Sequence, residues 1–343
     1  MWHLLPLPCT GVASTRYQND IDALTALHKF GWLRTQELGY LLWPDTKNRG
    51  QTQACRAALS WLKRGLMMAR TLPDGAGRAL VLATAGVRLL ADVGVVAVSG
   101  KDIGKMDGST WTPPISWKHD VIAAGILVNL ATSGWDVFPE ATIRRKGEKL
   151  AKIPDGLAVL GEKVLWLEVE QARKTGPSMR LLGQALVAVS QTLIEPVCGY
   201  RANIACCAYV IDAKDENGHR LSHQLRVRSA IEKETKTDVS VTWIACTVRR
   251  NGLVGMEFST DVVEASQQSR ILARLNAIGW TFTDGQWVVQ YGHHRVVIWT
   301  GEDEGSSEVL WFFKVDELET GWAESLTAAK RAATAILGSV ANV

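Results

Sequence analysis

The chain has 343 residues, 47% apolar and 21% charged, which is too long for one ordinary domain and apolar enough to bury two or three real cores. Its net charge of +3 is unevenly spread: residues 1–105 carry +6, residues 106–260 carry +2 and residues 261–343 carry −5, and a basic start suits a polyanion. The six cysteines form no C-x-x-C pair, the N-terminus has no charged leader and no apolar run is long enough to span a bilayer, so the expectation is a cytoplasmic protein with reduced thiols, no membrane span and no thiolate zinc site.

In chain order, Asp20 can cap a first helix whose apolar positions Ile21, Leu24, Leu27 and Phe30 recur at helical spacing up to Gly31. Thr35 can cap a second, with Leu38, Leu41 and Leu42 inward and Pro44 ending it. A third runs from about Gln51 to Arg64, with Cys55, Ala58, Leu59 and Leu62 as its expected inner stripe. "LMMARTL", a Pro-Asp-Gly-Ala-Gly turn and "RALVLA" then read as a β-hairpin. Three helices and a hairpin over residues 1–94 make a winged helix-turn-helix. Its third helix would offer Gln51, Gln53, Arg56, Ser60 and Lys63 to the major groove of double-stranded DNA, with Arg70 and Arg78 reaching phosphates from the wing. Solvated charges on a helical domain, or a winged helix used for protein contact, are the plainer alternatives.

Residues 95–116 are rich in Gly, Ser, Asp and Pro and read as a linker. From Trp117 a second domain is expected to reach residue 262: "KHDVIAAGILVNLA" as a helix, "WDVFPEATIR", "KIPDGLAVL" and "KVLWLEVE" as strands, "SMRLLGQALVAVSQTL" as a helix and "NIACCAYVID" as a strand, an αβββαβ order. Alternation puts Val164, Trp166, Glu168 and Glu170 on one face of their strand. If that strand pairs with its predecessor about Gly161, Asp155 lies near Glu168 and Glu170, and three acids in one place repel unless a cation joins them. A hard divalent cation, Mg²⁺ or Mn²⁺, takes such oxygen ligands, can lower the pKa of a water and can neutralise charge on a phosphate oxygen. Equally, Asp in a Pro-Asp-Gly turn is ordinary turn chemistry, and Glu168 with Glu170 could be the polar face of an edge strand.

Pro154-Asp155, twelve further residues and Glu168-Val169-Glu170 on an αβββαβ order resemble the PD-(D/E)xK superfamily, the restriction-endonuclease-like fold. With the winged helix ahead of it, the chain resembles the replication-relaxation family of plasmid and integrative-element proteins and is similar in layout to MobC-class conjugative relaxases. That resemblance covers residues 18–212. It implies a metal-dependent DNA endonuclease or nickase acting in plasmid mobilisation, conjugation or replication, with Asp155 and Glu168 as the metal-binding acids. Glu170 stands where the superfamily usually has Lys, and the resemblance makes it a further ligand or the general base. Lys174 or Arg173, and less strongly Lys152, would supply the missing positive charge. His119, Asp120 and Glu140 are further candidate ligands. The rival reading is an inactive DNA-binding regulator that keeps the nuclease-like domain as a docking or homodimerisation scaffold, and a third is a protein-interaction adaptor.

His219 and His223 stand four apart at the start of an expected helix but lack an HExxH pattern, and read as exposed polar residues beside Arg220, Arg226 and Arg228. His293 and His294 fall on opposite strand faces. No phosphate-binding loop, dinucleotide motif or nucleophile elbow occurs. Over residues 263–343, "QWVVQY", "HRVVIWT", "VLWFFKV" and a helix through "ESLTAAKRAATAIL" suggest a small three-stranded sheet plus helix, following a helical segment "RILARLNAIGW". Its tryptophans, Trp280, Trp287, Trp299, Trp311 and Trp322, could stack on unpaired bases, but its −5 charge favours a small core with a protein-contact face, for instance toward transfer or replication machinery. The expected fold class is therefore α+β multidomain.

Overall fold

A computed structural model describes residues 16–46, 50–107, 110–147, 150–172, 174, 176–213, 222–249, 252–265, 281–283, 286–291, 294–302, 309–316, 318–323, 329 and 332–333. The "RILARLNAIGW" segment, Arg173, His219, Arg220, His293 and most of "ESLTAAKRAATAIL" lie outside those residues. The chain is of mixed α and β structure and divides into two compact units, residues 1–230 with 240–262, and residues 231–239 with 263–343. No helix among the described residues is long and apolar enough to cross a membrane.

The first unit opens with α1 (Arg16–Phe30), β1 (Trp32–Arg34), α2 (Thr35–Leu42), α3 (Gln51–Lys63), β2 (Met67–Thr71), β3 (Arg78–Leu82) and α4 (Thr84–Asp92). The three strands form an antiparallel sheet in the order β1-β3-β2. Asp20 is not the cap expected of it, because α1 begins four residues earlier. It is buried and accepts hydrogen bonds from Trp61 Nε1 and Arg64 Nη1, both at 2.6 Å, so it ties α1 to the end of α3.

The inner face of α3 also differs from the expected stripe. Ala54, Ala58 and Trp61 are buried, whereas Cys55 and Leu59 are exposed. The cause is the closeness of α2: a Cβ on Gly39 would lie 2.9 Å from the Gly50 carbonyl oxygen and 3.0 Å from Ala54 Cβ. Only small side chains fit that crossing, so alanines take the contact and the bulkier Leu59 turns outward.

Residues 95–116, expected as a linker, carry a two-stranded ribbon, β4 (Lys105–Asp107) and β5 (Thr110–Thr112). Gly100 N–H donates to Leu82 O at 2.8 Å and Trp111 Nε1 donates to Ile103 O at 2.8 Å, so the segment is fastened to β3 and folded on itself.

Next come α5 (Trp117–Thr132), β6 (Asp136–Pro139), α6 (Glu140–Arg145), β7 (Gly156–Leu160), β8 (Lys163–Glu170), α7 (Gly176–Ser190), β9 (Ile204–Val210), α8 (His223–Glu234), β10 (Val239–Arg249) and β11 (Gly252–Val263). The expected αβββαβ order is present with one insertion. The strand read over "WDVFPEATIR" stops at Pro139, whose missing N–H suits the position before a helix, and Glu140 begins α6 rather than sitting in a strand.

The sheet has six strands in the order β11-β10-β9-β8-β7-β6. β6, β7 and β8 are antiparallel neighbours, and β8, β9 and β10 run parallel. A two-residue loop joins Leu160 to Lys163, and Gly161 supplies the positive φ such loops favour. β8 is central and buried on both faces from Val164 to Glu170, which excludes the edge-strand reading of its glutamates.

α5 is apolar nearly all round because it is covered nearly all round. One continuous core joins Leu24 and Leu27 of α1, Leu38 of α2, Ile122 and Ile126 of α5, and Leu165, Leu167 and Val169 of β8. In the second unit the described strands β12 (Thr281–Thr283), β13 (Gln286–Tyr291), β14 (His294–Glu302), β15 (Val309–Val315) and β16 (Leu318–Ala323) form an antiparallel meander. It has five strands where three were expected. The two additions, "TFT" and "LETGWA", are short edge strands without a sustained apolar alternation.

Candidate active site

The hairpin register brings the expected acids together. Asp155 stands just before β7, and its N–H donates to Leu167 O at 3.0 Å, which sets its side chain beside the end of β8. Asp155 Oδ2 then accepts from Val169 N–H at 2.7 Å and from His119 Nε2 at 3.0 Å. Alternation along β8 turns Trp166, Glu168 and Glu170 away from the Leu165, Leu167 and Val169 core face. Both glutamates are fully buried.

Each buried carboxylate has a lysine. Lys152 Nζ lies 2.6 Å from Glu168 Oε2, while Trp166 Nε1 donates to Glu168 Oε1 at 2.8 Å. Lys174 Nζ forms an ion pair with Glu170 Oε1. The other oxygen, Glu170 Oε2, is buried with no hydrogen-bond partner. Lys152 thus enters the site directly, as Lys174 does, although the resemblance points to it less strongly. Its long side chain reaches from the irregular segment before Pro154, and periodicity carries no signal for such reach.

Electrostatics follow from this packing. Burial, then the nearby Asp155 charge, pushes the Glu168 carboxyl up to about 7, with Lys152 and Trp166 acting against them. Burial also raises Glu170, and Lys174 opposes it in part. Burial penalises ionised Asp155 as well, but the His119 hydrogen bond and charge, Lys152 and the Val169 N–H outweigh it and hold the carboxyl below its ordinary value. Burial likewise opposes a charged His119 ring, yet hydrogen bonds to Asp120 and Asp155 and their charges prevail, raising it to about 10. His119 Nδ1 is 3.4 Å from Asp120 Oδ1, and Ser116 Oγ donates to Asp120 Oδ2 at 3.1 Å. The result is a row of alternating charge: Asp120, His119, Asp155, Lys152, Glu168.

Glu140 is engaged elsewhere, in an ion pair with Arg144 one helical turn on. His223, expected to be exposed, is buried. Burial lowers its pKa, with Arg226 and Lys174 adding to the effect and a backbone hydrogen bond at Gln171 opposing it, so the packing favours the neutral ring, which borders the Lys174 segment. Arg226 Nη2 donates to Lys174 O at 3.0 Å, and Arg228 pairs with Asp261. These arginines fasten the fold instead of lining an open channel. Cys207, directly opposite Glu168 on β9, is buried, and burial with the neighbouring Glu170 pushes its thiol well up; no motif or spacing marks its place beside the acids.

Among the described residues no three of His, Cys, Asp and Glu converge as a ready metal-binding group. The donor set nevertheless suits a hard cation. It holds more buried carboxylate than its hydrogen bonds satisfy, with one orphaned oxygen on Glu170 and a Glu168 raised in part by Asp155.

The expected DNA-facing residues are all at the surface, but not on one patch. Gln51, Gln53, Arg56, Lys63 and Arg78 are exposed and Arg70 is half-buried. Only Gln51 and Arg78 line the groove of about 930 Å³ between α2, α3 and the β2–β3 turn. No family model, no curated protein and no solved structure matches the chain.

Proposed function

We propose that this chain is a DNA-binding, metal-dependent endonuclease or nickase whose centre is Asp155, Glu168 and Glu170 with Lys152 and Lys174. The observation that carries the reading is that Asp155, Glu168 and Glu170 lie close enough at the paired ends of β7 and β8 to feel one another's charge, in an αβββαβ frame, with both glutamates buried and each acid beside a cationic neighbour. The frame resembles the PD-(D/E)xK nuclease superfamily. The order α1-β1-α2-α3-β2-β3 ahead of it resembles a winged helix, and together they suit the relaxase-like, mobile-element role that the sequence resemblance implies. A cytoplasmic location goes with that role.

Asp155, Glu168 and Glu170 would hold Mg²⁺ or Mn²⁺, which supplies a Lewis acid for phosphodiester hydrolysis when bound. The chain's own groups do the rest. His119 and the Val169 N–H fix the Asp155 carboxylate in its ionised form. Lys152 and Lys174 bring positive charge to where the superfamily usually carries one lysine, able to offset charge developing on a phosphate oxygen. Where Glu170 is not itself a ligand, its carboxyl, raised by burial and left with one unpartnered oxygen, can accept a proton from an attacking water.

A second reading has its own support: both lysines already pair with the glutamates, as in a centre that has become a structural ion-pair network within a DNA-binding regulator. The deciding experiment is cleavage of supercoiled plasmid with Mn²⁺ or Mg²⁺, beside EDTA and Glu168→Ala, with calorimetric titration of Mn²⁺. Metal-dependent nicking that the substitution abolishes supports the nuclease. Absence of both nicking and Mn²⁺ binding overturns it in favour of the regulator.

A further inference from the structure

The groove beside α3 has a wall that the N-terminal part of the chain does not supply. Its lining includes Gln51 and Leu59 of α3, Gly77 of the β2–β3 turn, Arg78 at the start of β3, and Arg249 and Val254 from β10 and β11 of the central sheet. A buried ion pair fastens these walls together. Arg34 pairs with Glu37 at the start of α2, and its Nη1 reaches Ala76 O in the β2–β3 turn at 3.4 Å. Gly252, at the start of β11, sits so close that a Cβ there would lie 2.8 Å from the same Nη1.

Arg34 is therefore consumed in holding the groove open, and the cations left to face a ligand are Arg78 and Arg249. Both are exposed, and neither has an ion-pair partner among the described residues. Among the described residues the lining contains no acid. Two guanidinium groups without an ion-pair partner among the described residues, in a groove floored by α3, complement a polyanion. The exposed Leu59 on that floor suits contact with a thymine methyl, the apolar element of base-edge readout.

We infer that Arg249, on the central sheet, grips a backbone phosphate of the same duplex that α3 and Arg78 hold. The duplex-binding surface then runs from the N-terminal helices onto the β10–β11 end of the sheet. This rests on the DNA-binding reading above and adds a residue and a surface to it.

The test is fluorescence anisotropy with a random-sequence duplex of about 30 base pairs, in EDTA, over a salt series, for the full chain and for Arg249→Ala, Arg249→Lys, Arg78→Ala and Lys163→Ala, with melting curves as the folding check. Lys163 is an exposed cation outside the groove. Arg249→Ala is expected to weaken binding about five- to tenfold at low salt and to reduce the slope of log affinity against log salt by about one, as for loss of one phosphate contact. Arg249→Lys should keep most of the slope, and Lys163→Ala should match the parent. An unchanged slope in Arg249→Ala, while Arg78→Ala loses its share, overturns this inference and leaves the DNA-binding reading intact. Failure of the unsubstituted chain to bind duplex, or binding that ignores salt, overturns that reading and this inference with it.

Discussion

Replacing Glu168 by Gln separates the energetics of the acid cluster from its proposed chemistry. Glu168 is fully buried, and its carboxyl rises from 4.5 to about 7 on folding, through burial first and the Asp155 charge second. An acid raised in the folded state is cheap when protonated and costly when ionised. The cost is absent below pH ~4.5, grows as the pH climbs towards 7 and is complete above it, reaching about 3 kcal/mol. Gln keeps the shape and can still accept the Trp166 Nε1–H bond at its carbonyl oxygen, but it carries no charge. Lys152 loses its partner; being partly exposed and close to Asp155, it returns only part of the gain. Glu168→Gln is therefore expected to be more stable than the parent by about 1–3 kcal/mol at pH 8, with the gain shrinking towards zero near pH 4.5. Urea denaturation in EDTA at several pH values between 4.5 and 8 measures the difference. A variant less stable than the parent at pH 8, or a difference that does not change with pH, would show that the cluster is satisfied and stores no electrostatic cost.

Three further outcomes are expected. Histidine ring-proton shifts should show His119 still protonated at pH 9, because its pKa is raised to about 10, and His28 neutral at pH 5, because burial and then Arg145 lower it to about 4; ordinary titration near 6.5 for both would contradict the packing described. Lys174→Met should cost about 2–4 kcal/mol, since it leaves Glu170 buried without a cation, and adding Glu170→Gln should recover most of it; additive losses in a double-mutant cycle would refute the pairing. Gly50→Ala should cost about 3 kcal/mol or more, combining a left-handed φ of 71° with a Cβ placed 2.4 Å from the Gly39 carbonyl oxygen, whereas Gly75→Ala, with the same sign of φ and open space around it, should cost about 1 kcal/mol. Thermal melts of the two alanine variants read the difference.

Asp155, Glu168 and Glu170 were legible in the sequence because their meeting depends on two local rules, side-chain alternation and a tight two-residue loop at Gly161. The lysines were less so: Lys152 reaches Glu168 from an irregular segment, through a side chain with four rotatable bonds. Periodicity does not set the phase of α3 because apolar residues lie on both of its flanks, and the choice between them is made by size, at a crossing where Gly39 and Gly50 touch. Asp20 has the residue type of a helix cap but not the role. Its partner Trp61 lies 41 residues away, and only the fold brings it near. The burial of His223 was hidden for the same reason, since its neighbours Gln171 and Lys174 belong to another segment.

The core that runs without a break from α1 through α5 to β8 has a mechanical consequence. With recognition on α3 and chemistry at the end of β8, as proposed, both are carried by one compact unit, and the spacing between the sequence read and the bond cut is set by packing. Such a protein measures DNA as a caliper does. Each base pair adds roughly 3.4 Å to the duplex, so moving the cut by a single step would require α5 and its neighbours to repack.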